Sequence, residues 1–382
     1  MCRRLASPTV DARAATGATG AANHVREAGP GMRDKPTHLL SMRVRARKLI
    51  RLALLACLVA LPALIAGPAT ANPAGSNGQL LFARYDPNLD DTVLHTINPD
   101  GSHDQQVVPF AVECPHWSPD GTRIAACGTV SHLPGPDTGG ATIIDADTGS
   151  YREIRGPDPE LTTACYVWSP DAKRLACESW SDEEFIGEMN DPTRNGIYTI
   201  RVSDGQGLTR MTSNPYGDDV PMAYSPNGKR LVFARYDENG DSLGLFVVKT
   251  NGTGLRQIAP AGVTCCSAGW SPQGNNIVFS RHVTPDVHSS IWIVHFDGTG
   301  LREVPAHPAY GCGGPNSDPN AGGCFDPRWS PDGEQIVFGN GSGDLGRNVY
   351  TVRPDGSGLH QVTHGDAGQS NEQPDWGPHP LG

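Results

Sequence analysis

From residue 80 onward the apolar residues come in short runs bounded by turn residues. Ile124-Ala125-Ala126, Leu175-Ala176-Cys177, Leu231-Val232-Phe233, Ile277-Val278-Phe279 and Ile336-Val337-Phe338 are five such runs. Runs this short, closed on both sides by Gly, Pro, Asn or Asp, predict strands and not helices. Ahead of each run stands one recurring string. It reads Trp117-Ser118-Pro119-Asp120-Gly121, Trp168-Ser169-Pro170-Asp171-Ala172, Tyr224-Ser225-Pro226-Asn227-Gly228, Trp270-Ser271-Pro272-Gln273-Gly274 and Trp329-Ser330-Pro331-Asp332-Gly333, with a degenerate Trp376-Gly377-Pro378. The aromatics are spaced by 51, 56, 46, 59 and 47 residues. Ser-Pro-Asp-Gly is turn chemistry, because Pro presets φ, Asp bonds back to the backbone and Gly accepts positive φ.

Each string with its apolar run therefore predicts a β-hairpin. A third strand follows, as in Ile197 to Ile200, Leu245 to Val248, Ile291 to Val294 and Val349 to Val352. An Asx-Gly turn comes next (Asp204-Gly205, Asn251-Gly252, Asp297-Gly298, Asp355-Gly356), then a fourth strand such as Leu255 to Ile258 or Leu301 to Val304. Asx-Gly is a strong short hairpin signal. Four antiparallel strands recurring at this interval predict an all-β fold, a six-bladed β-propeller with four antiparallel strands per blade. The sixth unit is split. Trp376 supplies its first strand, while Leu80 to Phe82, Val93 to Ile97 and Gln105 to Val108 supply the rest. Phe82-Ala83-Arg84-Tyr85-Asp86 recurs unchanged at Phe233 to Asp237, which aligns the two units. The ring is thus expected to close by the C-terminal strand pairing with the N-terminal three. The tryptophans are expected in the core.

The first 71 residues have a different character. Residues 43–51 read RVRARKLIR, residues 52–67 are almost wholly apolar, and Pro68-Ala69-Thr70-Ala71 resembles an A-x-A cleavage site. This predicts a secretory signal peptide over 42–71, preceded by a non-structured or mis-started extension over 1–41, with the propeller over 78–378. Residues 1–71 hold 11 of the 30 Lys and Arg but only 3 of the 41 Asp and Glu, so the remainder carries 19 basic against 38 acidic residues, a net of −19. A surface that acidic repels phosphate backbones and excludes nucleic acid as an expected partner. Membrane contact is expected only through the signal segment, if uncleaved. The 46 Gly and 33 Pro, about a fifth of the chain, fit many tight turns.

The W-S-P-D-G-x-x-I-x-F string resembles the WD-like repeat of TolB-like six-bladed propellers, over roughly residues 78–378. The resemblance implies the propeller fold and an envelope setting. TolB proteins carry an α/β domain ahead of the propeller, for which the few residues after Ala71 leave no room.

Eight cysteines follow the signal segment: Cys114, Cys127, Cys165, Cys177, Cys265, Cys266, Cys312 and Cys324. An even number behind an export signal predicts disulfides. If Trp117 faces Ile124, simple pairing sets Cys114 opposite Cys127. Cys177 is one place short of the matching position for Cys165, which suggests a bridge between blades. Cys312 and Cys324 bracket a Gly-rich loop they could staple.

Catalytic motifs are absent: no G-x-S-x-G, P-loop, dinucleotide fingerprint or H-E-x-x-H occurs, and no cofactor or metal is expected. Propellers bind at a mouth of the central channel. The residues just before each aromatic lie on the innermost strand, so Glu113, His116, Asp219, Asp326, Arg328, Glu372 and Asp375 are the candidate ligand-binding residues. The function expected is an exported binding or scaffold protein that presents a propeller face to a protein partner or small ligand. Two alternatives stand beside it. One is a secreted hydrolase or lyase acting on glycans through paired mouth carboxylates. The other is a component of an envelope protein complex.

Overall fold

The computed structural model describes residues 75–127, 139–181, 191–282, 289–306, 323–342, 346–365 and 369–382, the side chains of 263–267 and 342 excepted. All belong to the unit Pro68–Gly382. The expected signal segment and the extension before it lie outside the described residues.

Among the described residues strands account for the regular structure, apart from one 3-10 turn at Pro192–Arg194. Among the described residues no helix is long and apolar enough to cross a membrane. One sheet runs β24 (Asn371–Trp376), β1 (Leu80–Asp86), β2 (Asp91–Ile97), β3 (Gln105–Ala111). Three more follow the chain: β12 (Asp219–Tyr224), β13 (Arg230–Tyr236), β14 (Ser242–Lys249), β15 (Arg256–Ala259); β16 (Val263–Trp270), β17 (Asn276–Arg281), β18 (Ser290–His295), β19 (Arg302–Glu303); and β20 (Gly323–Trp329), β21 (Ile336–Ser342), β22 (Gly346–Val352), β23 (His360–Gln361).

The strands do not fall into six separate sheets. Four sheets stand alone with four strands each, and a fifth has eight. That fifth sheet joins β4 (Glu113–Trp117), β5 (Arg123–Cys127), β6 (Gly139–Asp145) and β7 (Tyr151–Ile154) to β8 (Thr162–Trp168), β9 (Arg174–Trp180), β10 (Gly196–Arg201) and β11 (Thr209–Arg210). The link is a two-residue parallel pairing, Gly139↔Thr163 and Gly140↔Ala164. Only glycine permits it. A Cβ on Gly139 would lie 2.1 Å from the Thr163 carbonyl oxygen, and both glycines have positive φ, 65° and 126°.

The turn chemistry is as the sequence implies. In the first string Ser118 Oγ donates to Asp120 Oδ1 at 2.6 Å and accepts from Arg123 N at 2.9 Å. The same bonds recur at Ser169/Asp171 and Ser330/Asp332, and with Asn227 as acceptor at Ser225. Phe82, Phe233, Phe279 and Phe338 hold equivalent, fully buried places on the second strands, and all five tryptophans of the strings with the degenerate sixth are buried. The apolar clusters are shared between successive sheets. One joins Val337 and Val349 to Leu80, Phe82 and Trp376, and another joins Leu94 and Val108 to Trp117 and Ile124. Cores thus lie between sheet faces. The first strands touch in the order β4, β8, β12, β16, β20, β24, and β24 also touches β4.

Two disulfide expectations change. Cys165 bonds Cys177 within one hairpin, with Cα atoms 4.0 Å apart, and not across blades. A bulge between Cys165 and Val167 adds the residue that simple pairing lacks. In the preceding hairpin the bulge falls between Glu113 and His116, so Glu113, not Cys114, sits opposite Cys127, and Cys114 and Cys127 remain thiols. Cys324 is disulfide-bonded. Cys312 and the side chains of Cys265 and Cys266 lie outside the described residues.

Candidate functional site

Three first strands share a local sequence that the repeat alone does not demand. β4 carries Cys114-Pro115-His116-Trp117, β20 carries Asp326-Pro327-Arg328-Trp329, and β24 carries Gln373-Pro374-Asp375-Trp376. Proline lacks an N–H, so within sheets it is confined to edges and bulges. Here it has both: a strand with one free edge and a register shift in each pairing. The residue before each proline takes φ near +50°: 49° at Cys114, 51° at Asp326 and 51° at Gln373. Positive φ in a non-glycine residue is costly and concentrates at functional places. The bulge re-aims the side chain that follows the proline.

β24 lies between β20 and β4, so the three strands bring their polar residues together. His116, Asp326 and Arg328 line one small cavity with Cys114 and Gln373. Asp375 Oδ2 lies 3.7 Å from His116 Nδ1, an electrostatic contact too long for a hydrogen bond. The same oxygen accepts from Trp117 N at 2.8 Å, and Gln373 Oε1 accepts from Cys114 N at 2.9 Å, so two side chains of β24 hold the backbone of β4. On the far side the His116 ring stacks on Tyr166 at 5.6 Å, and its carbonyl accepts from Trp168 Nε1 at 3.1 Å. Burial pushes the His116 pKa below its ordinary value, and Arg328 pushes it further, against Asp375. For Asp375 burial acts upward, yet His116, Arg328 and the Trp117 amide outweigh it and hold the carboxyl below the usual range. The cavity among these groups is about 10 Å³, room for a single water at most.

The other predicted residues do not join them. Asp219 is fully buried and forms a two-pronged ion pair with Arg235, at 2.7 and 2.8 Å, reinforced by Asn214 Nδ2 at 3.3 Å. It is a structural pair, because a buried carboxylate needs its partner. Glu372 pairs with Arg347 at 3.0 Å and accepts from Ser370 Oγ. Glu113, whose side chain reaches solvent, has its pKa raised by partial burial, then by Asp91 and Glu372. Among the described residues no three His, Cys, Asp or Glu side chains converge as metal ligands would. Gln373 was missed, although the Xaa-Pro-Xaa-Trp repeat marks its position.

No family model matches the chain, and no curated protein matches it in sequence. Solved structures do resemble it. TolB from Acinetobacter baumannii is 17% identical, with 80% of this chain and 68% of that one covered and a TM-score of 0.58. The putative TolB from Agrobacterium tumefaciens is 17% identical over 79% of this chain and 99% of its own, with a TM-score of 0.52. A chain of the nidogen/laminin complex is 7% identical over 78% and 97%, with a TM-score of 0.54. The fold is a β-propeller. At such low identity the likeness establishes the fold alone.

Proposed function

We propose that the chain is an exported binding or scaffold protein of the TolB-like kind, a closed six-bladed ring whose channel end at His116, Arg328 and Asp375 receives a protein partner. The observation that carries this is the closed packing of those three side chains. Asp375 and Gln373 tie β24 to the β4 backbone, and the cavity beside them leaves room for about one water, so the place is a rigid surface and not a substrate cleft. Preorganisation of this kind lowers the entropy lost on docking. Counting six units is supported by the two-residue bridge at which the eight-stranded sheet divides, and ring closure by the β24 pairing with β1. Export is supported by the Cys165–Cys177 disulfide, since such bonds persist in oxidising compartments. The envelope setting is also in keeping with the TolB neighbours. N-terminal sequencing of the exported product should find Asn72 first.

The test is differential capture from an envelope extract. The wild-type protein should retain a partner that the Arg328→Glu variant, folded by circular dichroism, does not. Identical capture by both, or capture of nothing, sinks the reading. A second reading, glycan hydrolase or lyase, rests on one observation, the pKa of Glu113, raised by burial and by the neighbouring carboxylates Asp91 and Glu372, as suits a general acid. It requires that Glu113→Gln abolish a glycan-cleaving activity present in the wild type.

A further inference from the structure

The six strings differ at one place that matters for shape. Five begin with Trp and the third with Tyr224. Several of the tryptophans have a partner over the ring: His379 stacks on Trp117 at 5.0 Å, and Phe296 on Trp270 at 6.3 Å. The Arg123 guanidinium lies 4.9 Å from the Trp168 ring in the next unit. Arg174 occupies the matching place, first in β9, but turns back into its own unit. Its guanidinium donates to Thr199 Oγ1 at 2.6 and 2.9 Å and to the carbonyls of Thr199 and Gly207. With a smaller ring and, among the described residues, no cation over it, the junction between the second and third units is open. The groove holds about 700 Å³, within the range of small-molecule sites. Its rims are two successive turns, in which Pro170 lies 3.8 Å from where a Gly228 Cβ would be.

The chemistry of the lining is selective. Its charged groups are engaged in local bonds: Asp171 Oδ1 accepts from Ser169 Oγ and Lys173 N, and Arg174 is held as described. No hydrogen bond within the described residues engages the Tyr224 hydroxyl, the Asn227 side-chain N–H groups or the Thr250 hydroxyl. Burial raises the Tyr224 pKa, which keeps the phenol a donor. An aromatic face beside uncharged donors and acceptors matches a molecule with apolar C–H faces and many hydroxyls.

We propose that the Tyr224 groove binds a neutral oligosaccharide of about two or three sugar units. The site is separate from the channel surface and does not depend on it. Titration calorimetry on the exported protein tests the idea, with maltotriose, cellotriose and triacetylchitotriose as probes and trigalacturonate as the charged comparison. At least one neutral trisaccharide should bind saturably. Tyr224→Trp, which restores the residue of the other strings and narrows the groove at the aromatic face, should weaken it at least about tenfold while leaving the melting curve cooperative. Should Tyr224→Trp fail to fold, the Asn227→Ala/Thr250→Ala double variant must show the same loss. The proposal is overturned if no neutral probe binds at about 10 mM, if Tyr224→Trp binds as wild type does, or if trigalacturonate binds in preference.

Discussion

Individual residues hold this protein in costly backbone states at definite places. Ala172 closes its turn with φ of 54°, where the four corresponding strings have glycine at 68° to 82°. The left-handed region costs an L-residue about 1–2 kcal/mol, against about 0.5–1 kcal/mol of extra chain entropy that glycine loses on folding. Ala172→Gly should therefore stabilise by up to about 1 kcal/mol, read as a raised urea midpoint with unchanged slope. His116 invites a pH experiment. Its folded pKa lies below its unfolded value, so the unfolded state takes up the proton first. Stability is then fully present above the unfolded pKa of about 6.5 and is lost as pH falls through the folded pKa. Asp375, also depressed, adds to the loss further into acid. His116→Gln should flatten the decline between pH 7 and 5. An unchanged slope in that window argues against His116 as its source.

At the scale of strands and hairpins, bulges decide what faces what. The sequence placed Cys165 and Cys177 on neighbouring strands, but the extra residue at Tyr166 is what sets them opposite each other. Removing this bridge by Cys165→Ala/Cys177→Ala should cost about 2–4 kcal/mol, measured by denaturant unfolding under oxidising conditions. The join between β6 and β8 depends on Gly139 and Gly140, because a Cβ on Gly140 would lie 2.1 Å from the Ile154 carbonyl oxygen. Gly140→Val should destabilise by about 1–3 kcal/mol and speed amide exchange at Thr162 to Ala164. Unaltered exchange there would show the join to be incidental.

For the whole molecule, β24 is the element that joins the C-terminal end of the chain to its first strands. It pairs with β1, buries Trp376 against Leu80 and Phe82, and carries the Asp375 and Gln373 contacts to β4. Deleting 371–382 strips these together and leaves β1 an apolar open edge, a template for aggregation. The truncated protein should accumulate as soluble oligomer or precipitate, seen by size exclusion. A monodisperse monomer would mean that β24 is dispensable.

The strands, their turns and the shared strings were readable because they rest on local chemistry: proline's fixed φ, the Asx bond to the backbone, glycine's freedom and a two-residue alternation. So was the placement of His116, Asp326, Arg328 and Asp375 on first strands, each one place before a Trp or close to it. Which of the charges would meet was not readable. Trp117 N and Asp375 are 258 residues apart, and their contact depends on adjacent first strands and on bulges at Cys114 and Gln373. Asp219 looked equivalent to them and is instead sealed against Arg235. A shift of one residue turns a side chain to the opposite face of a strand. For that reason the sequence by itself determined the elements and their order, while the register, the closed charge cluster and the open groove at Tyr224 were decided only when the sheets packed together.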